Sequence, residues 1–191
     1  MIATARKPEK LHEVVDRYGN RIRTVQQDVR DGSAAARAVQ TAVDAFGRID
    51  VVVHAARSAE PAVEDFEVDT FRVPVETNLF GFVYVTQAAL PILRRQGHGH
   101  VIQISPADSR INYGSFSAHQ ISKQAVERFT VAFARDVAPL GIKVTIVETC
   151  GALRPLVETP VSVASERYNE GARPRTTGPR SGQPGSRRSE A

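Results

Sequence analysis

The chain has 191 residues, enough for one domain with a sizeable core, and its 41% hydrophobic and 24% charged residues are ordinary for a globular protein. A lone cysteine, Cys150, excludes an internal disulfide, and no cluster has metal-ligand spacing, so no metal is expected. The net charge of +4 does not describe a basic body: residues 171–191 hold five arginines against one glutamate, leaving 20 basic and 20 acidic residues in the remainder.

In chain order, residues 2–4 read as the end of a strand and residues 9–18 as a short helix. RIRTVQQDV is a strand ending at Asp28. Ser33 can cap a helix over 34–46, which Gly47 stops. IDVVVHAA, residues 49–56, is a continuous run with β-branched residues, as a buried parallel strand should be. After a loop, residues 75–95 form a long helix. HVIQIS, 100–105, is another buried strand, and 116–138 is a second long helix closed by Pro139 and Gly141. IKVTIVE, 142–148, is a further strand. Strands alternating with helices imply βαβ units and a parallel sheet covered on both faces.

From about residue 166 the chain is rich in Pro, Gly, Ser and Arg without apolar periodicity. Such a segment cannot bury enough surface to offset its ordering entropy, so residues 166–191 are expected to be a disordered basic tail after a domain over 1–165. A solvated tail without a partner is the favoured reading. Nucleic-acid binding is not expected, since no aromatic is interleaved with the arginines. A shifted reading frame of GC-rich DNA would give the same composition. The charged start MIATARKPEKLHEVV does not read as a signal peptide, and no apolar run reaches membrane-spanning length, so a cytoplasmic protein without membrane contact is expected.

In a parallel sheet, ligands bind beyond the carboxyl ends of the strands. Arg6, Asp28, His54 to Arg57, Ser105 and Cys150 all fall there. His119 and Lys123 lie four apart on one helix and so share a face. Cys150 has no base at usable spacing.

The phrases ATARKPEKL, QQDVRD, DAFGRIDVVVHAA, ETNLFGFVYVTQAALPILRR, GHVIQIS, SKQAVERF and VAPLGIKVTIVE occur in a fixed order over residues 2–154. Together they resemble the short-chain dehydrogenase/reductase family. The resemblance implies a Rossmann-like three-layer α/β fold and hydride transfer between NAD(P) and a small-molecule carbonyl or alcohol. It also implies a proton relay of Asn, Ser, Tyr and Lys. Asn78 matches the relay asparagine and Lys123 the lysine, whereas His119 holds the tyrosine position and Pro106, beside Ser105, the serine position. Ser105 is a possible substitute, although strand alternation points it away from its neighbour's side. Tyr113 is close in sequence but off the helix face of Lys123. Imidazole is shorter than phenol, and a lysine one turn away disfavours its charged form.

On the cofactor side, Arg6 follows the strand where the resemblance places the adenosine ribose and favours NADP over NAD. Asp28 and Val29 match the pair beside the adenine. His54, Ala55, Ala56 and Arg57 stand where the family carries NNAG; His54 reads as a satisfied buried histidine more readily than as a ligand. The family's first strand and glycine-rich turn have no counterpart from Met1 onward, which puts NADP or NAD binding by this chain in question. An in-frame glycine motif upstream of Met1 would restore the enzyme reading. The expectation is therefore a truncated, degenerate member with little or no activity, and a marginally stable one whose open strand edges invite association. The alternatives are a divergent reductase using His119 and Lys123, or a non-catalytic protein that forms homo-oligomers or pairs with an intact homologue through helices 75–95 and 116–138.

Overall fold

The computed structural model describes residues 1–56, 67–106 and 117–149. Strand β1 (Ile2–Ala5) leads through a short 3-10 turn into α1 (His12–Tyr18) and β2 (Arg23–Gln26). Helix α2 (Gly32–Phe46) precedes β3 (Val51–His54). Then come α3 (Val68–Val75), a π-helical turn (Glu76–Phe80) and α4 (Gly81–Gln96). Strand β4 (Gly99–Pro106), α5 (Ser117–Val137) and β5 (Ile142–Thr149) close the described chain.

All strand pairs are parallel, in two groups: β1 beside β2, and β3-β4-β5. Parallel crossovers are right-handed. Since α1 steps from β1 to β2 and α2, α4 and α5 step the other way, α1 lies on one face and the long helices on the other. This is a three-layer, Rossmann-like α/β architecture, and the long-helix layer carries the core. Phe82 and Leu93 of α4 pack with Val101 of β4, Val126, Phe133 and Val137 of α5, and Ile142 of β5. Each such burial contributes roughly 1.5–3 kcal/mol. Phe82 is the hub, with edge-on rings of Phe129 at 5.7 Å and Phe133 at 6.3 Å.

Several expectations are corrected in detail. The N-cap of α2 is Asp31, not Ser33: its carboxylate accepts the Ser33 N–H at 2.8 Å and the Ser33 hydroxyl at 2.7 Å, so the helix begins two residues earlier than expected. Gly47 stops the helix as expected, at φ +74°. The long helix expected over 75–95 is preceded by α3, whose Pro74 removes one N–H from the ladder, and joins it through the π turn. β2 is shorter than expected because pairing stops where β1 ends, and β3 is confined to Val51–His54. β3 is also not buried on both faces: Val51 is 50% and Val53 57% exposed. Their face is the one opposite the long helices, and no described helix covers it. The entrance to β3 is instead tied by a side chain. Gln96 donates from Nε2 to the Ile49 carbonyl at 2.6 Å and accepts the Ile49 N–H on Oε1 at 3.1 Å. The expected tail, 166–191, lies outside the described residues. Among the described residues no helix is long and apolar enough to cross a membrane.

Candidate active site

Parallel strands deliver their following residues to one end of the sheet, and the site forms there. Arg6, Asp28, Val29, His54, Ala55, Ala56 and Asn78 line one cavity of about 590 Å³. The residues following β1, β2 and β3 meet there with the π turn. Lys123 reaches the cavity rim from α5, donating from Nζ to the Ala56 carbonyl at 3.4 Å.

Asn78 sits in the π turn, 3% exposed. A π turn holds one residue more than the α-helix around it and recurs at functional sites. The Asn78 amide donates to Ser122 Oγ at 2.8 Å, and the Ser122 hydroxyl donates to the His119 carbonyl at 2.7 Å. Asn78 Oδ1 is buried with no partner among the described residues. Ser122 thus ties the π turn to α5 beside Lys123. Sequence reasoning passed over it; its place one residue before the lysine, with a backbone carbonyl three residues earlier, was the available signal.

Lys123 is 3% exposed. One turn before it, His119 is half-buried. Ser105 is 1% exposed, and its hydroxyl has no partner among the described residues. It shares the helix-covered face of β4 with Val101 and Gln103, as strand alternation requires.

Both His54 and Asp28 are shifted from their ordinary titration. His54 packs its ring on Phe82, with centroids 4.3 Å apart, and its Nε2 lies 3.5 Å from the Thr86 hydroxyl. Burial pushes its pKa down to about 4, so it is neutral near pH 7. Asp28 is held below the usual carboxylate range by its hydrogen bonds from Arg30, against an opposing effect of burial. Arg30 engages both carboxylate oxygens, with Nη2 to Oδ2 at 2.6 Å and Nε to Oδ1 at 3.1 Å. Arg6 adds a smaller attraction. Behind Asp28, the Val29 side chain lies over Gly81, where a Cβ would come within 2.9 Å of it. Arg57, Tyr113 and Cys150 lie outside the described residues. Among those described, no three His, Cys, Asp or Glu side chains converge as a metal site would require.

The short chain dehydrogenase profile matches residues 1–162. The chain belongs to the short-chain dehydrogenase family. Oxidoreductase BOA17 of Botryotinia fuckeliana is 46% identical over 153 residues, 79% of this chain and 56% of that protein. The NADP-dependent 3-hydroxy acid dehydrogenase YdfG of Shigella flexneri is 30% identical over 151 residues, 78% of this chain and 60% of that protein. A crystal structure of a short-chain dehydrogenase from Streptomyces avermitilis superimposes with a TM-score of 0.71 at 36% identity, over 77% of this chain and 54% of that one. The chain therefore spans a little over half the length of the relatives it matches. Family membership accounts for the parallel α/β order and for the position of the site at the strand ends.

Proposed function

We propose that this short-chain dehydrogenase chain keeps the family's scaffold for NAD(P)-dependent hydride transfer between a carbonyl and an alcohol but performs little or none of it. The observation that carries this reading is the burial of Ser105. The hydroxyl beside the relay-serine position is 1% exposed, so a substrate oxygen has no route to it. A proton donor must come within hydrogen-bond reach of the group it serves. The other donor position holds His119, which sits one turn from Lys123 and is shorter than a phenol. The burial of Asn78 and Lys123 beside the cavity supports a reading in which half of the relay persists without its proton-donating half.

The cavity residues fit only part of a dinucleotide. Asp28 and Val29 suit an adenine, and Arg6 suits a 2′-phosphate, which favours NADP over NAD. A pyrophosphate needs backbone N–H groups from a glycine-rich turn or a helix start. The described lining offers Gly81 alone among glycines, and Val29 already covers it. Calorimetry of the purified chain with millimolar NADP and NAD tests the reading. No saturable heat with either, and no oxidation of NADPH in the presence of a carbonyl panel, is the expected result. Saturable binding together with enzyme-dependent turnover would overturn it.

A second reading, a non-catalytic partner, is favoured by Phe80, Ile121 and Phe129, apolar side chains exposed near α4 and on α5. Co-purification with a full-length homologue, lost on Ile121→Asp, is the outcome it requires. A strictly monomeric elution in the presence of that homologue counts against it.

A further inference from the structure

The end of the sheet opposite the site has a different character. A helix that steps between parallel strands runs back against them, so the C-terminal turns of the helices meet the starts of the strands. The last turns of α1, α4 and α5 bring Arg17, Arg94, Arg95 and Arg135 to this end. The strand entries add Arg21 and Arg23 at β2, Arg48 before β3 and Lys143 in β5.

All eight of these side chains are exposed. Four carboxylates, Asp16, Asp44, Asp50 and Asp136, share the end with them, whereas the other described residues are nearly balanced, with eight basic and nine acidic side chains. The positive surplus of the described chain is therefore concentrated here. Helix dipoles favour cations at C-terminal turns and account for the four arginines of the helices. They do not account for Arg21, Arg23, Arg48 and Lys143. The turns that carry the central part of the patch touch one another. Arg48 Nη2 lies 3.2 Å from His98 Nε2, which ties the entry of β3 to that of β4. The Gly141 backbone sits against the Gly97 carbonyl, which brings the entry of β5 to the same place. At the α1 corner, Tyr18 is 41% exposed, with the guanidiniums of Arg17 and Arg21 at 5.6 and 5.7 Å from its ring centre. Neither guanidinium is in an ion pair among the described residues. Phe46, at the end of α2, is a second exposed ring at this end.

We propose that this end of the sheet is a docking face for single-stranded nucleic acid. Seven of its eight cations are arginines, whose planar forks take phosphate oxygens two at a time and whose faces also stack on bases. A strand laid across the end passes its phosphates over the arginines of the touching turns. Its bases reach the exposed rings of Tyr18 and Phe46, and stacking of this kind tolerates any base. The aromatic rings separate this patch from the arginines of residues 171–191, which have none among them. They also separate a nucleic acid from an acidic peptide, which supplies charge without flat faces to stack. A duplex keeps its bases paired and out of reach, so the face favours single strands. The patch lies at the far end of the strands from the candidate site, so the inference is independent of the cofactor reading.

The test uses the full chain and a fluorescein-labelled oligouridine of about 20 nucleotides, with anisotropy read across a salt series. Saturable binding is expected, with a log–log salt slope of about −2 to −3.5, as three to five phosphate contacts on a single strand would give. Arg94→Gln combined with Arg95→Gln is expected to make that slope shallower by about 1.4. Tyr18→Ala is expected to weaken binding at least about fivefold with the slope unchanged, since stacking releases no counterions. Arg72→Gln, on α3 at the site end, is expected to change nothing. Replacing the five arginines of residues 171–191 by serine is expected to leave affinity within about threefold. All the substituted side chains of the body are exposed, and thermal melts confirm that each variant folds. Several results would overturn the proposal: no saturable binding, binding lost with the 171–191 arginines but indifferent to Tyr18 and Arg94/Arg95, equal affinity for a duplex, or equal affinity for polyglutamate or for anionic phosphatidylserine vesicles.

Discussion

The two strand groups differ in what holds them. The β3-β4-β5 group rests on α4 and α5, and the main apolar cluster draws its buried members from Val39 onward. The β1-β2 group has α1 on its outer face, and α1 buries no residue. Its inner face meets the first turns of α2, where Ala34, Ala35 and Ala38 are buried. Alanines bring less apolar area than the Phe, Leu and Val of the other half, so the same parallel ladder stands on a weaker support. The candidate site straddles this divide. Asn78 and Lys123 are set in the firm half, and Arg6 and Asp28 in the soft one. A scaffold can thus hold Lys123 firmly while the strand ends that carry Arg6 and Asp28 stand on weaker support.

The contrast is sharpest in the firm half itself. Leu93→Ala is expected to cost about 2–5 kcal/mol, because Leu93 is buried in the main cluster. Val53→Ala, on the uncovered face of the same sheet, is expected to stay within about 0.5 kcal/mol. Urea titrations of the two variants measure both; similar losses would mean that something covers Val53 in solution.

His54 gives the next largest effect. Its folded pKa of about 4 lies below the ordinary 6.5, so between these values the unfolded chain binds the extra proton. Stability is full above about pH 6.5 and is expected to fall by roughly 3 kcal/mol as pH drops toward 4. Thermal melts across that range check it, and His54→Gln is expected to flatten the curve.

Gly81→Ala tests the join between the halves. The new Cβ meets Val29, and overpacking of this kind costs about 1–3 kcal/mol. The smallest expected difference is dynamic. Amides at Ala3 and Ala5 are expected to exchange at least about tenfold faster than those at Val101 and Gln103. Equal protection in both groups would show that the sheet is closed by another route.

Much of this architecture was legible in the sequence. Residues 51–53 are an unbroken valine run, IKVTIVE at 142–148 is rich in β-branched residues, and Gly47 follows its helix directly, so local rules place them. Asn78 and Lys123 were legible because the surrounding phrases fix their positions. What escaped was tertiary. Val51 and Val53 read as buried because composition cannot report whether a helix covers a given face. The π turn kept the apolar period of an ordinary helix and left no mark in the pattern. Ser122 was passed over because its importance comes from Asn78, 44 residues away in sequence. Asp31 and Ser33 are both good caps, and only the geometry chose between them.

The π turn has a consequence for how this chain tolerates insertions and deletions. It stores one surplus residue between α3 and α4. Removing one residue from 76–80 would let the segment relax to an ordinary helix, and α3 would rotate by about 100° against α4. The deletion would leave the hydrophobic composition of the helices almost unchanged, yet Asn78 would leave Ser122 and the face that α3 turns to α5 would change. Length here, more than residue identity, is the quantity that inheritance has to preserve.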